Sequence, residues 1–264
     1  NGFAGTERAS QAGGSIDDYL VLGGDAQPLQ GNQYVNLLTN GKIFPPWVTH
    51  NFKNYKLPPI LRAEGEDPCA TETKVRLRQY QAFAGAYLGP GTPFNSMLVY
   101  HGLGSGKTAL VINIFNLLYN YDHNYTFVVL IKASLYDDPW MSDLRKFLGR
   151  NADGDVTNLE EWERNDPIKF VNYDAPNAAQ VFLDTMKRID PSKPIMFVID
   201  ESHNFIRNVY SNLKSSSGQR AQVIYEFIMR EKRENNKAKL VLISATPAVN
   251  YPFELALLYN LLRP

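Results

Sequence analysis

With 264 residues, 44% of them hydrophobic and 20% charged, the chain has the composition of a soluble globular protein of one or two domains. Its 27 basic and 27 acidic residues cancel, so no overall positive field draws it to nucleic acid, and any such contact must come from a local patch. Cys69 is the single cysteine, which excludes an intramolecular disulfide and fits a reducing, intracellular setting. No apolar run approaches the ~18 residues of a membrane span, so no membrane partner is expected. No signal-peptide pattern opens the chain, and a start at Asn1 reads as a processed or trimmed one.

Residues 1–16 are small and polar without period and read as a flexible tail. Residues 17–74 read as an N-terminal extension with an aromatic and basic stretch, Trp47 to Lys56. Pro45, Pro46, Pro58 and Pro59 bracket that stretch and discourage a long helix. It is expected to be a strap packed on the following lobe; the alternative is a nucleic-acid or partner contact through its aromatics and lysines. From Val75 to Pro264 the pattern alternates between strand and helix. Strands are predicted at Met97–Tyr100, Thr126–Ile131, Lys169–Asn172, Ile195–Ile199 and Leu240–Ile243. Such apolar, β-branched runs suit a mainly parallel sheet buried on both faces, hence an α/β lobe.

Ser96 to Leu118 reads as a buried strand, a glycine loop and an amphipathic helix with Leu110, Ile114, Leu117 and Leu118 on one face. The loop is Gly102-Leu103-Gly104-Ser105-Gly106-Lys107-Thr108. Its glycines let backbone N–H groups converge on phosphate, and the helix start points the same way. Lys107 is expected on the β- and γ-phosphates of ATP and Thr108 on Mg²⁺. His101 stands where the full phosphate-loop pattern has its first glycine. Downstream, PIMFVIDESH (Pro194 to His203) reads as a buried strand ending in two carboxylates. Asp200 is expected to hold Mg²⁺, and Glu201 to orient or deprotonate the attacking water. A further strand runs into Ser244-Ala245-Thr246-Pro247.

Two insertions carry charge. Residues 150–166 hold six acids and are expected to be a solvated loop and helix. Residues 204–239 hold eight basic residues against three acids. Arg230, Lys232 and Arg233 there are expected to form a solvated helix end, with a nucleic-acid backbone contact as the alternative. Ser215 to Gly218 reads as a flexible joint.

The phosphate loop, Asp-Glu-Ser-His and Ser-Ala-Thr, in that order, resemble motifs I, II and III of superfamily 2 helicases and translocases. Leu77-Arg78-Gln79-Tyr80-Gln81 resembles the segment by which this superfamily, especially its Swi/Snf-like branch, reads adenine. Gln81 is the residue whose amide could pair with that base. Phe127 to Leu135, followed by Trp140 and Leu144, resembles motif Ia; Phe170 to Tyr173 resembles the strand before motif II. HGLGSGKT, VIDESH and LISATP look most like helicases of large cytoplasmic DNA viruses, such as the ATPase subunit of the poxvirus early transcription factor. The resemblance implies a RecA-like ATP-binding lobe over residues 75–264 and a second RecA-like lobe elsewhere in a longer protein. It implies His203, Ser244, Ala245 and Thr246 as the relay between nucleotide and nucleic acid. Backbone contacts would come from the loops after Ile131 and Tyr173. It also implies DNA ahead of RNA as the track, transcription-complex subunits as partners, and the virion and host cytoplasm as setting. An RNA helicase, a protein-remodelling ATPase and a non-catalytic module remain as alternatives. Arginine fingers supply ~10³–10⁵ in rate, so this lobe alone is expected to hydrolyse ATP slowly.

Overall fold

The computed structural model describes residues 44–57, 77–150, 156, 158–215, 219–235, 237–246 and 251–264. The predicted tail, most of the extension, Cys69, and most of the joint at 215–218 lie outside these. The chain divides into two compact units, Asn1–Gly65 and Glu66–Pro264. In the first, helix α1 (Phe44–Asn51) is followed by a 3₁₀ turn, Lys53–Tyr55. The helix accommodates Pro45 and Pro46 in its first turn, where no intrahelical N–H is needed. Trp47 is buried in it, edge-on to Phe52 at 6.2 Å.

The second unit is a five-stranded sheet in the order β1-β5-β4-β2-β3, with every neighbouring pair parallel. Its strands are β1 (Ser96–Tyr100), β2 (Thr126–Ile131), β3 (Ile168–Asn172), β4 (Ile195–Ile199) and β5 (Lys239–Ser244). All five predicted strands are present, three of them one residue longer at one end or both. The helices are α2 (Gln79–Leu88), α3 (Lys107–Tyr121), α4 (Ser142–Phe147), α5 (Leu159–Asn165), α6 (Ala178–Lys187), α7 (Ser202–Lys214), α8 (Arg220–Glu234) and α9 (Pro252–Leu262). Parallel strands need crossovers, and the helices supply them over both faces. Val128, Leu130, Phe197, Ile199, Leu240 and Leu242 pack one face against Phe182, Phe205, Ile224 and Leu258 from α6 to α9. The alternate residues face α3, where Phe115 lies 4.3 Å from Phe127, centroid to centroid. This is the α/β, RecA-like class. Among the described residues no helix is long and apolar enough to cross a membrane.

Four expectations need correction. β1 is not a buried strand: it sits at the edge of the described sheet, and only Val99 is buried. β3, at the opposite edge, is likewise only partly covered. Helix α3 is not amphipathic. It is buried nearly all round, while Leu117, expected on the apolar face, is 41% exposed. Asn113 and Asn116 turn inward instead, because each has backbone partners there. Asn113 donates to the Gln81 carbonyl at 3.1 Å, and Asn116 bonds Phe147, Gly149 and Arg150. Finally, Lys232 is no solvated helix end. It is 6% exposed and bonded to Ser96 and Asn95, where β1 begins.

Candidate active site

Because the sheet is parallel, the chain leaves β1, β4 and β5 at the same edge. Tyr100 pairs with Ser244 and Ile199 with Leu242. The phosphate loop after Tyr100, the Asp200–Glu201 pair after Ile199 and the Ser244–Thr246 turn therefore meet there, outside the carboxyl ends of the strands, where α/β sheets bind ligands.

The loop takes its shape from two glycines in left-handed conformation, Gly104 (φ 71°) and Gly106 (φ 73°). Gly106 caps α3, and a Cβ there would lie 2.7 Å from the Gln81 amide nitrogen. Leu103, at the tip, is 87% exposed. Lys107 opens α3 and donates to the carbonyls of His101 (3.2 Å) and Gly102 (3.0 Å). The Ser105 hydroxyl also donates to Gly102, at 2.9 Å. Thr108 is buried in the first turn of α3. His101, in the place of the pattern's first glycine, stands edge-on to Tyr80 at 5.4 Å. Burial first, and the Lys107 charge second, hold its pKa below the usual imidazole value.

Gln81 lies against this loop with its amide already engaged. Its Oε1 accepts the Arg78 N–H at 2.8 Å, capping α2, and its Nε2 donates to the Gly106 carbonyl at 3.0 Å. Tyr80, its neighbour, donates to the Ser105 carbonyl. The segment thus fastens the phosphate loop from one side, and the Gln81 amide keeps a second N–H and a second lone pair beyond these bonds. Tyr80 was not singled out in the sequence; its position beside Gln81 is the signal that could have found it.

Asp200 is 6% exposed. Its Oδ2 accepts the indole N–H of Trp140 at 2.8 Å, and its Oδ1 the N–H of Glu201 at 2.8 Å. Burial dominates and pushes its pKa above the usual carboxylate range; the two donors and Lys107 oppose the rise only in part. A buried carboxylate with too little positive charge around it fits a hard cation. Among the described residues no three acids, histidines or cysteines gather into a metal cage. A Mg²⁺ ion would need no such cage, since it takes one or two protein ligands and completes its shell with phosphate and water. Tyr173 supports the turn from below, its hydroxyl donating to the Asp200 carbonyl at 3.2 Å.

Glu201 takes a left-handed conformation (φ 48°), unusual for a residue with a side chain, and begins α7 as its cap. Its Oε2 lies 3.2 Å from His203 Nδ1, which is also 3.0 Å from Ser244 Oγ. The Asn204 amide donates to His203 Nε2 at 2.9 Å. Nε2 is therefore the acceptor, and the proton of the neutral ring sits on Nδ1. Burial is the main reason the ring's pKa lies below the usual imidazole value. Ser244 Oγ accepts the Thr246 N–H at 2.9 Å. A continuous line of contacts thus runs from Glu201 through His203 and Ser244 to Thr246, with Ala245 held in the turn between. The loops after Ile131 and Tyr173 meet through Lys132 and Asp174, 3.9 Å apart.

Comparison with known proteins agrees with this geometry. The family model described as "Type III restriction enzyme, res subunit" matches residues 74–249. A protein of Acanthamoeba polyphaga mimivirus, named as a candidate ATP-dependent RNA helicase, is 56% identical over 242 residues. That alignment covers 91% of this chain and 30% of the relative. Nucleoside triphosphatase I of Choristoneura fumiferana entomopoxvirus is 30% identical over 199 residues, 74% of this chain and 28% of the relative. The chain therefore spans less than a third of the length of either relative. With the family model covering motifs I to III and the parallel sheet carrying them to one edge, the chain belongs to the type III restriction enzyme res subunit family, as a helicase-type ATPase domain of RecA-like fold.

Proposed function

We propose that residues 75–264 form the ATP-binding lobe of a nucleic-acid-dependent motor, a DNA helicase or translocase. The observation that carries this reading is the line of contacts from Glu201 through His203 to Ser244 and Thr246, which joins the hydrolytic acid to the turn that follows β5. Gly102 to Thr108 cradle the phosphates, with Leu103 and Ser105 contributing backbone. Lys107 exchanges its bonds to His101 and Gly102 for phosphate oxygens. Thr108 and Asp200 hold Mg²⁺, which when bound neutralises charge on the β- and γ-phosphate oxygens. Glu201 accepts the proton of the attacking water as the water oxygen bonds to the γ-phosphorus and the bond to the β-phosphate oxygen breaks. The change at Glu201 passes to Ser244 and Thr246 through His203. Gln81 reads adenine through the remaining N–H and lone pair of its amide. The second RecA-like lobe, with its arginine, lies in the remainder of a longer protein, in keeping with the greater length of the relatives. By the likeness of its motifs to viral helicases, the motor serves viral transcription alongside other subunits.

A second reading, an RNA helicase in viral RNA processing, is favoured by the name of the mimivirus relative. ATP hydrolysis by a longer protein carrying this lobe, measured with single- and double-stranded DNA and RNA added separately, separates the two. Glu201→Gln should abolish turnover. Ser244→Ala should leave the basal rate and remove the nucleic-acid stimulation. Stimulation by RNA alone moves the motor to RNA. Robust turnover from residues 1–264 with no nucleic acid or second lobe refutes the incomplete-site reading.

A further inference from the structure

We propose that the outer edge of β3 is a docking site for an extended, acid-bearing peptide segment of a partner protein. β3 ends the order of strands, and among the described residues no strand pairs with its far side. The Phe127 N–H bonds the Pro167 carbonyl at 2.9 Å, and the Tyr173 N–H bonds the Ile131 carbonyl at 3.1 Å. Pro167 and Tyr173 are an even number of residues apart, so this alternate set faces β2. The intervening residues Ile168 and Phe170 then aim their N–H and C=O groups outward, as Asn172 does its N–H; the Asn172 carbonyl instead accepts from Ala175 at 3.3 Å. An open row of this kind is a template for an added strand.

Two depressions flank the edge. One, of about 630 Å³, is lined by the consecutive residues Asp166 to Phe170 together with Leu144 and Trp162. Side chains of a strand alternate between faces, so five successive residues can line one groove only if the strand's edge forms its wall. The other, of about 880 Å³, shares Asp166, Pro167, Lys169 and Thr185 with the first and continues it past the N-terminal end of β3. Its character is different. Arg164, Lys169, Arg188 and Lys193 face two carboxylates, Asp166 and Asp190. Asp166 pairs with Lys169 at 2.5 Å, and Asp190 accepts from Ser192 at 2.9 Å. Arg164, Arg188 and Lys193 make no ion pair with any described residue.

The occupant follows from this order of features. Outward backbone donors and acceptors match another polypeptide in extended form; a phosphodiester chain cannot satisfy both. The apolar groove takes alternate aliphatic side chains, and the cations at one end, which make no ion pair with a described residue, select carboxylates there. The basic end of the site lies at the amino end of β3, away from the phosphate loop at the carboxyl ends of the strands.

The test is a selection of random peptides of roughly twelve residues, displayed on phage, against the immobilised chain, with enriched sequences then titrated in solution. The expected peptides carry two or three acids at one end of an aliphatic, β-branched run. Arg164→Glu combined with Arg188→Glu should weaken them by at least about tenfold. Ile168→Pro should do the same, because it removes an outward N–H at the first residue of an edge strand, where proline is tolerated. Nucleotide binding by both variants, followed in parallel, should match the parent chain, which separates lost docking from lost folding. No enrichment, enrichment without acids, or binding indifferent to both changes overturns the proposal. So does displacement of the peptides by a single-stranded oligonucleotide at equal concentration.

Discussion

Lys232, bonded to the start of β1, and Lys239, at the start of β5, are both buried, and among the described residues neither has a carboxylate partner. Lys239 donates to the Phe94 carbonyl at 2.9 Å and is 7% exposed. Burial lowers both pKa values from 10.5 to about 8, with the Lys239 charge as a second cause at Lys232. At about 1.36 kcal/mol per pH unit, keeping each of them charged at neutral pH costs the fold roughly 3 kcal/mol. The folded pKa lies below the unfolded one, so between pH 8 and 10.5 the unfolded chain binds more protons, and stability rises with pH. Between pH 8 and 10 the rise should be about 2 kcal/mol for each lysine, roughly 4 for the pair. Tyr87, Tyr125, Tyr173 and Tyr225, whose pKa values burial raises, act in the opposite direction as pH nears 10 and beyond, and together take back roughly 1–2 kcal/mol of that rise by pH 10. Urea unfolding followed by tryptophan fluorescence at pH 8, 9 and 10 measures the slope. Lys239→Met should lose more than half of it, since it also relieves Lys232. At pH 7 that variant should be close to neutral, because the charging cost it removes is offset by about 1–3 kcal/mol for the orphaned Phe94 carbonyl. A stability that is flat from pH 8 to 10, or a variant with the full rise, refutes the reasoning.

Two further outcomes test the site. Gly106→Ala forces a side chain into a left-handed residue and toward Gln81, so it should cost at least about 1 kcal/mol of stability and abolish nucleotide binding, read by calorimetry. Trp140→Phe keeps most of a buried ring but removes the N–H on Asp200, a bond to a charged acceptor worth about 1.5–3 kcal/mol. The pKa of Asp200 should climb further, and the Mg²⁺ needed for half-maximal turnover should rise about tenfold, more at lower pH, where the carboxyl protonates. An unchanged Mg²⁺ dependence would sink that role for Trp140.

The strands were legible because each is a short β-branched or aromatic run closed by a polar turn, a pattern that survives without any knowledge of partners. The motifs were legible for a similar reason: Gly104 to Thr108 and Asp200 to His203 are contiguous, so their chemistry is written locally. Burial was harder to read. Leu117 and Asn113 exchange the places that hydrophobicity assigns them, because the Gln81 carbonyl, 32 residues away, needs a donor. Trp140 lies 60 residues from the Asp200 it supports, and only the fold brings the two together. Lys232 reads as a surface charge until β1 is seen to begin beneath it. What hid these residues is in each case a long-range polar partner, which periodicity does not register.

Apart from Leu117, helix α3 is enclosed from its first turn to Tyr119, with both asparagines tied to neighbouring backbone and the preceding loop pinned by Tyr80 and Gln81. It has no free face along which to slide or rotate, so the phosphate-binding half of the site is a fixed floor. Its amides should open to exchange only with the whole lobe, at the full free energy of unfolding. Motion tied to the nucleotide is then expected in the turns after β4 and β5, where the line from Glu201 runs from the buried Ser244 out to the exposed Thr246. One wall holds still while the other reports.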